Sequence, residues 1–234
     1  MKWSAAIKEG IVAAWPICLG YLAIGVAFGV IAQKAGLHPL EIGLMSVVVY
    51  AGSSQFIAVS MLVGGSAIMP IIATTFMVNL RHLLMSSSLS IYLKSVNGGW
   101  LALFAYGVTD ESFALNLSRF RNDNWNWQPA LVLNHTTNIT WVGSTVAGGF
   151  GGQFIPAGAF GIDYALTAMF ICLLVFQLRG NIYILVAIMA GGLAVGLSLI
   201  ISGNSHIIIS SIVAATLGVL FRRYQLSHRE ENDS

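Results

Sequence analysis

Runs of about twenty apolar residues recur along the whole chain, and this pattern restricts the fold to one class. A helix needs about 20 apolar residues to cross the hydrocarbon core of a membrane. The alternation of short strands that marks a membrane β-barrel is absent from the sequence. We therefore predict an all-α, polytopic integral membrane protein with about eight transmembrane helices. The apolar runs lie near 11–33, 40–62, 67–92, 99–118, 130–150, 160–178, 181–201 and 205–221.

The composition supports this class and excludes others. Charged residues make up 9% of the chain and hydrophobic residues 56%, whereas a soluble domain has roughly 25% charged residues. The basic residues form no patch, which argues against nucleic-acid binding. Cys18 and Cys172 lie inside apolar runs without a CxxC spacing, so we expect no disulfide framework and no metal site. We also expect no cofactor.

The basic residues predict how the chain is oriented in the membrane. With eight spans and a cytoplasmic N-terminus, only Lys34 and Lys94 lie on the outer side, and Arg81 lies within a span. Positive residues favour the cytoplasmic side, so both termini are predicted to be cytoplasmic. We expect one transmembrane domain over 1–226 and a short tail over 227–234. The inner side collects Lys2, Lys8, Arg119, Arg121, Arg179, Arg222, Arg223 and Arg229.

Small and polar residues interrupt the second apolar run at Gly52–Phe56. A helix that unwinds at Gly52 and restarts would leave backbone N–H groups near Ser53–Phe56 free to bind a carboxylate. The other interpretation is a continuous helix with a Gly/Ser packing seam. The predicted fold includes one or more helices broken at mid-membrane, and this stretch is the main candidate.

Ionisable residues lie in the middle of the third and fourth runs. Arg81 and His82 follow Asn79, and Asp110 is adjacent to Glu111. An arginine at mid-membrane costs about 3 kcal/mol on insertion scales, so we expect one acid to pair with Arg81. We expect the other acid to hold a proton, because burial disfavours the charged form of a carboxyl group. A snorkelling arginine, a structural histidine and a purely structural ion pair remain open.

A polar stripe runs along the fifth apolar run. Asn134, Asn138, Trp141 and Thr145 are three or four residues apart, which places them on one helical face. Such a stripe either lines an aqueous path or joins two helices by hydrogen bonds. The candidate pathway-lining residues are Tyr21, Asn134, Asn138 and Thr145.

Four motifs resemble the AzlC-type family of branched-chain amino acid permeases. They are Pro16–Tyr21, Tyr50–Phe56, Asn79–Met85 and Thr109–Phe113, and the chain length and number of spans are also similar. The resemblance implies a bacterial inner-membrane exporter of branched-chain amino acids, in some members also of methionine. It further implies a small second membrane subunit of the AzlD type. Since the chain has no Walker motif, we expect secondary transport driven by an ion gradient.

An amino acid needs a donor for its carboxylate, an acceptor for its ammonium group and an apolar pocket. We expect the backbone near Gly52 and the Arg81 side chain to bind the carboxylate, and one of the two acids to bind the ammonium group. Protonation of an acid or of His82 would bias which side is open. The candidate substrate-binding residues are Gly52, Ser53, Ser54, Gln55, Phe56, Asn79, Arg81, Met85 and Phe113, and the coupling candidates are His82, Asp110 and Glu111.

Two other classes of function remain open from the sequence. Ser53 or Ser54 with His82 and Asp110 would supply the nucleophile, base and acid of an intramembrane hydrolase, although their order and spacing match no hydrolase pattern. The polar stripe of the fifth run would also suit a passive channel. We predict a transporter without enzymatic activity and without catalytic residues.

Overall fold

The described chain is mostly α-helical, which confirms the all-α class. A computed structural model describes residues 3–122, 125–154, 181–200 and 212–221, with 164, 171, 174–175, 178 and 209–210 in addition. Most of the predicted span 160–178, part of the run 205–221 and the tail 227–234 lie outside the described residues. The helices of the better-described part are α1 Trp3–Lys34, α2 Pro39–Val48, α3 Gly52–Val63, α4 Ile68–Leu89, α5 Gly98–Tyr106, α6 Asp110–Arg121 and α7 Trp127–Gly151.

The chain folds as two compact units, and every candidate site residue lies in the first. In the second unit, the apolar helices Asn181–Ser198 and Ile212–Phe221 contact each other at Val186 and Gly218. Three described helices are long and apolar enough to cross a membrane, judged by length and composition. The first unit contains Met1–Gly65 and Ile71–Leu166, and the second contains Ser66–Pro70 and Thr167–Ser234.

Helices α1 and α7 run side by side in the same direction through the first unit. Near the middle of both helices, the Thr140 hydroxyl donates to Cys18 Sγ at 3.3 Å. About one turn further along, Ser144 Oγ donates to the carbonyl oxygen of Tyr21 at 3.1 Å. Contacts thus advance along both helices together, so the pair is parallel.

The two ends of this pair serve as reference points for the other helices. At the proximal end, where both helices begin, the rings of Trp3 and Trp127 lie 5.6 Å apart. At the distal end, a Cβ added to Gly152 would lie 3.2 Å from Gln33 Cβ.

Small residues allow the α1 and α7 backbones to touch, and this close packing gives a first prediction. A Cβ at Gly148 would lie 2.9 Å from Val26 Cα, whereas a Cβ at Gly143 would have nothing within 4 Å. Gly148→Ala should therefore lower the free energy of unfolding by about 1–3 kcal/mol, because backbone must move. Gly143→Ala should be neutral or raise it by up to about 1 kcal/mol, because alanine favours a helix.

Thermal denaturation of the detergent-solubilised variants checks this prediction. A lower Tm is expected for Gly148→Ala alone. Equal Tm values for the two variants would contradict the direct backbone contact.

Helices α2 and α3 form a hairpin that enters the bundle from the distal end. A Cβ at Gly149 near the end of α7 would lie 3.5 Å from Pro39 Cα at the start of α2. Gln55 Nε2 of α3 donates to Ser46 Oγ of α2 at 3.0 Å. A continuous helix would separate these positions by about 14 Å along its axis. Helix α3 therefore folds back beside α2.

Helices α5 and α6 form a second hairpin, which enters from the proximal end. The Trp100 ring of α5 lies 5.8 Å from that of Trp127 at the start of α7. Asn134 of α7 donates to the Phe104 carbonyl of α5 at 3.1 Å and accepts from Asn116 of α6 at 2.9 Å. A continuous helix would place Phe104 and Asn116 about 18 Å apart. The two arms therefore lie side by side.

Helix α4 connects the two hairpins and runs toward the proximal end. Its Asn79 side chain accepts a hydrogen bond from Ser54 of α3. After the helix ends, the Tyr92 ring stacks on Phe120 of α6 at 5.2 Å. Helix α4 is thus antiparallel to α1 and α7.

Each of the runs 40–62 and 99–118, expected to be one span, consists of two helices that reverse direction at a break. The third and fifth runs are single helices, α4 and α7. The expected count of about eight crossings stays a prediction.

The polar stripe of α7 is buried and hydrogen-bonded to its neighbours. Its four side chains are at most 9% exposed, and each contacts the hairpins directly. Such contacts agree with the interpretation that the stripe joins helices. The pairs are Asn134 with Asn116 and the Phe104 carbonyl, Asn138 with Tyr106, Trp141 with Gln55, and Thr145 with Ser46.

Candidate functional site

The first helix break is built around a tyrosine in an unusual backbone conformation. Tyr50 has φ +37°, a left-handed conformation that costs a non-glycine residue roughly 1–2 kcal/mol. Its side chain is buried, and its hydroxyl donates to Thr137 Oγ1 at 3.2 Å. Ala51 then adopts an extended conformation and α3 begins at Gly52. Packing of the tyrosine against α7 thus supports the break that the Gly52 stretch suggested.

The second break was not predicted, although the sequence carries a local signal for it. Helix α5 ends at Tyr106 with Gly107 as its C-cap, and Thr109 caps α6. The backbone N–H of Thr109 donates to Ser112 Oγ at 2.9 Å, and the Ser112 N–H donates to Thr109 Oγ1 at 3.4 Å. This is a reciprocal capping box, with serine in place of the usual Glu or Gln. A glycine followed by this motif marks the end of one helix and the start of another.

The tips of the two hairpins meet in the middle of the first unit. The Tyr106 hydroxyl, at the end of α5, donates to the Val47 carbonyl of α2 at 2.6 Å. The rings of Tyr50 and Tyr106 lie 6.0 Å apart. The N-termini of α3 and α6 consequently lie near each other, and the positive end of a helix dipole is at each N-terminus.

Arg81 of α4 lies between the two helix N-termini. Its Nη2 donates to Ser53 Oγ at 2.5 Å, and its Nη1 lies 2.7 Å from Asp110 Oδ2. The expected ion pair between Arg81 and one of the two acids therefore forms with Asp110. The two side chains are 30% and 35% exposed.

Gln55 has a different environment from the one expected of a substrate ligand. Its side chain is fully buried, donates to Ser46 and accepts from Trp141 Nε1 at 2.8 Å. Its backbone N–H donates to the Ala51 carbonyl at 2.9 Å. The expectation that this N–H is free is therefore wrong. Gln55 holds α3 against α2 and α7 instead of pointing at the charged centre, which is formed by Arg81 and Asp110 at the two helix N-termini.

His82 contacts the second break. Its Nδ1 lies 2.9 Å from the Val108 carbonyl oxygen, and a carbonyl requires that this nitrogen carry the proton. Its Nε2 is buried and has no hydrogen-bond partner in the described part of the chain. The serines bond elsewhere, Ser53 with Arg81 and Ser54 with Asn79. Within the described residues, the hydrolase interpretation thus lacks its serine–histidine contact.

Glu111 faces α1. Its Oε2 accepts a hydrogen bond from the Tyr21 hydroxyl at 2.7 Å. The same hydroxyl oxygen lies 2.8 Å from Thr109 Oγ1. Tyr21, grouped with the pathway residues from the sequence, therefore belongs to the charged centre, and Thr109 is a member that sequence reasoning missed.

Phe56 lies apart from Met85 and Phe113, with which it was expected to line an apolar pocket. Phe56 is buried against Phe28, with ring centroids 5.0 Å apart. Met85 and Phe113 pack on a separate core cluster. An apolar groove of about 450 Å³ opens beside Asn79, and the remaining residues that line it belong to α2, α3 and α4, apart from Val49, which directly follows α2. These residues are Met45, Val48, Val49, Ala58, Ile71, Ile72, Thr75 and Phe76.

The fold and this centre define a helical membrane protein with two broken-helix hairpins around an ion pair. The sequence profile of the AzlC family, described as AzlC protein, matches residues 16–155, a segment that contains all the site residues described above. The chain belongs to the AzlC family, as the four motifs indicated.

Relatives support the same membership and the membrane class. The chain is 32% identical over 200 residues to the inner membrane protein YgaZ of Escherichia coli (strain K12), covering 82% of this chain and 81% of that protein. It is 31% identical over 220 residues to the branched-chain amino acid transport protein AzlC of Bacillus subtilis (strain 168), covering 92% and 84%. No solved structure matches the chain significantly.

Proposed function

We propose that this protein exports branched-chain amino acids, and also methionine, by secondary active transport across the bacterial inner membrane. Both termini lie in the cytoplasm, and a small AzlD-type subunit completes the transporter. The observation that carries this proposal is the Arg81–Asp110 ion pair, which lies at two helix N-termini. Transport sites are commonly built from broken helices and intramembrane charges.

The ion pair suits a zwitterion because the carboxylate and the ammonium group of the substrate can each take the place of one partner of the Arg81–Asp110 pair. The substrate carboxylate would take the place of Asp110 on Arg81, with Ser53 and the first turn of α3 as further donors. The ammonium group would bind the released Asp110 carboxylate. No net charge is added to the centre, so binding avoids the cost of burying an unpaired charge.

The groove beside Asn79 supplies a place for a branched aliphatic side chain. Its lining is apolar apart from Thr75 and Asn79, and Asn79 is joined by Ser54 to the first turn of α3. Burial of a leucine-sized side chain contributes about 1.5–3 kcal/mol. A charged side chain would lose hydration there without gaining a partner.

The proposed substrate class and partner also rest on the family. The relative from Bacillus subtilis is named a branched-chain amino acid transport protein, and the family resemblance implies the small subunit. The partial exposure of Arg81 and Asp110 supports a second subunit, because a charge pair inside a membrane must be shielded from contact with lipid.

Efflux from proteoliposomes tests the proposal. Vesicles would contain this chain with or without a small AzlD-type protein, and would be loaded with radiolabelled leucine. A pH gradient that is acidic outside the vesicles should accelerate leucine efflux, and a protonophore should abolish this acceleration. Internal isoleucine, valine and methionine should compete with leucine. Internal lysine should not compete, because its ammonium group has no partner in the groove.

Protein-free vesicles provide the background rate for this experiment. If none of the four amino acids moves in either preparation, the proposal is wrong. Leucine flux that reaches equilibrium at the same rate with and without the pH gradient would instead indicate a passive channel.

A further inference from the structure

Among the described residues, Glu111 of this centre has no cationic partner. In the described part of the chain, Arg81 pairs with Asp110 and no Lys, Arg or His pairs with Glu111. The Glu111 side chain is exposed, and it accepts a hydrogen bond from the Tyr21 hydroxyl of α1. A carboxylate held by a neutral donor can accept a proton without breaking an ion pair, unlike Asp110.

The hydrogen bonds around Glu111 can run in either direction. Tyr21 has one hydroxyl proton, yet its oxygen lies within 2.8 Å of both Glu111 Oε2 and Thr109 Oγ1. If Glu111 is ionised, Tyr21 donates to it and Thr109 donates to Tyr21. If Glu111 carries a proton, it donates to Tyr21, Tyr21 donates to Thr109, and Thr109 Oγ1 donates to Ser112 Oγ at 3.3 Å. Both protonation states are thus fully hydrogen-bonded.

The neighbouring titratable groups are less suited to carry a proton. Arg81 and Asp110 neutralise each other. His82 already uses its Nδ1 proton on the Val108 carbonyl, and a second proton on its buried Nε2 would have no acceptor among the described residues and would be repelled by Arg81. Tyr50, from the first break, donates its hydroxyl to α7. Among the groups facing this centre, Glu111 is the one whose two protonation states both fit.

We propose that Glu111 binds the coupling proton and that Tyr21 is its positioning residue, a role that rests on the proposed export function. Ionised Glu111 adds a second negative charge beside the ammonium group of the substrate and favours its binding. A proton added to a Glu111 oxygen removes that charge and favours release. Proton and amino acid therefore compete for the centre, and this competition couples inward proton movement to outward substrate movement.

Proton release on substrate binding tests this assignment. Leucine added to purified wild-type protein in weak buffer should release protons to a pH-sensitive dye. Glu111→Gln should release none, and its efflux from proteoliposomes should no longer respond to the pH gradient. Glu9→Gln, a matched change near the proximal end of α1, should behave as wild type in both measurements.

Tyr21→Phe provides a second, less disruptive variant. It keeps the ring, which packs on Trp141 with centroids 5.3 Å apart, and removes only the hydroxyl. Because a hydrogen bond to a carboxylate favours its charged form, the pH at which leucine binding is half lost should rise in this variant. A purely structural role of Tyr21 would lower the amount of folded protein and leave this midpoint unchanged.

The outcomes separate the two proposals. The role of Glu111 is wrong if Glu111→Gln keeps the wild-type proton release and gradient response. If the glutamine variant does not fold, an unshifted midpoint in Tyr21→Phe leads to the same conclusion. Either result would leave the export function intact. Wild-type protein that neither binds nor moves leucine would overturn the export function and this inference with it.

Discussion

Arg81→Gln and Asp110→Asn should each reduce leucine efflux by at least about tenfold, which corresponds to about 1.4 kcal/mol in the transport barrier. Each change leaves the opposite charge without a partner next to the hairpin tips, and an unpaired charge is costly in a membrane. Both single variants should therefore also reach the membrane in smaller amounts. Transport assays normalised to membrane protein separate the two effects.

The double variant Arg81→Gln/Asp110→Asn distinguishes a binding role from a structural one. It removes both charges, so the amount of protein in the membrane should recover toward that of wild type. Efflux should stay low, because neither the substrate carboxylate nor its ammonium group retains a charged partner. Recovery of efflux together with protein amount would show that the ion pair only supports the fold.

Ser95→Cys should react with an impermeant thiol reagent only from the cytoplasmic side, and Gly64→Cys only from the outside. The native Cys18 and Cys172 would first be replaced by alanine. Ser95 lies between α4 and α5 at the proximal end, whereas α3 runs from the first break toward the distal end. An arrangement of eight alternating spans predicts the opposite side for each of these two positions.

The lengths of the hairpin arms support this topology. Helix α5 has 9 residues and α6 has 12, or about 14 and 18 Å of helix, and a membrane core is about 30 Å thick. Since the arms fold side by side, we expect neither hairpin to cross the membrane. This arrangement would have six crossings with both termini inside, and Lys94 would lie on the cytoplasmic side. Lys34 would then be the only outer Lys or Arg, in better agreement with the positive-inside rule.

Two positions with the same predicted side in both arrangements serve as controls. Ala35→Cys should be labelled from outside and Asn122→Cys from the cytoplasm. If the controls behave in this way while Ser95→Cys is labelled from outside, the hairpins are not re-entrant and the eight-span topology is correct.

Several features of the site could be predicted from local sequence. The break at Gly52 was one of two interpretations, because glycine and serine also form packing seams in continuous membrane helices. The need for a partner at Arg81 followed from the cost of a charge in lipid. The break before Thr109 was missed although glycine and a capping motif mark it, because the apolar residues Phe113, Leu115 and Leu117 continue beyond it.

Other features depended on residues that are distant in the chain. Whether Asp110 or Glu111 pairs with Arg81 is decided by the rotation of α6, which its contacts with α1 and α7 determine. Gln55 was expected at the substrate because it is polar and next to the break, but Trp141 and Ser46 bury it. Phe56 was expected in the pocket, but the same turn of α3 directs it toward Phe28.

The sequence by itself determined the helical membrane class, the family, and the positions of the intramembrane charges. These properties depend on hydrophobicity and residue type within a single run, which are local. The tertiary structure alone decided that two of the runs fold back as hairpins and which side chains meet at their tips. Apolar periodicity is the same for a helix that crosses a membrane and for two half-length helices that reverse, so only contacts between distant segments distinguish them.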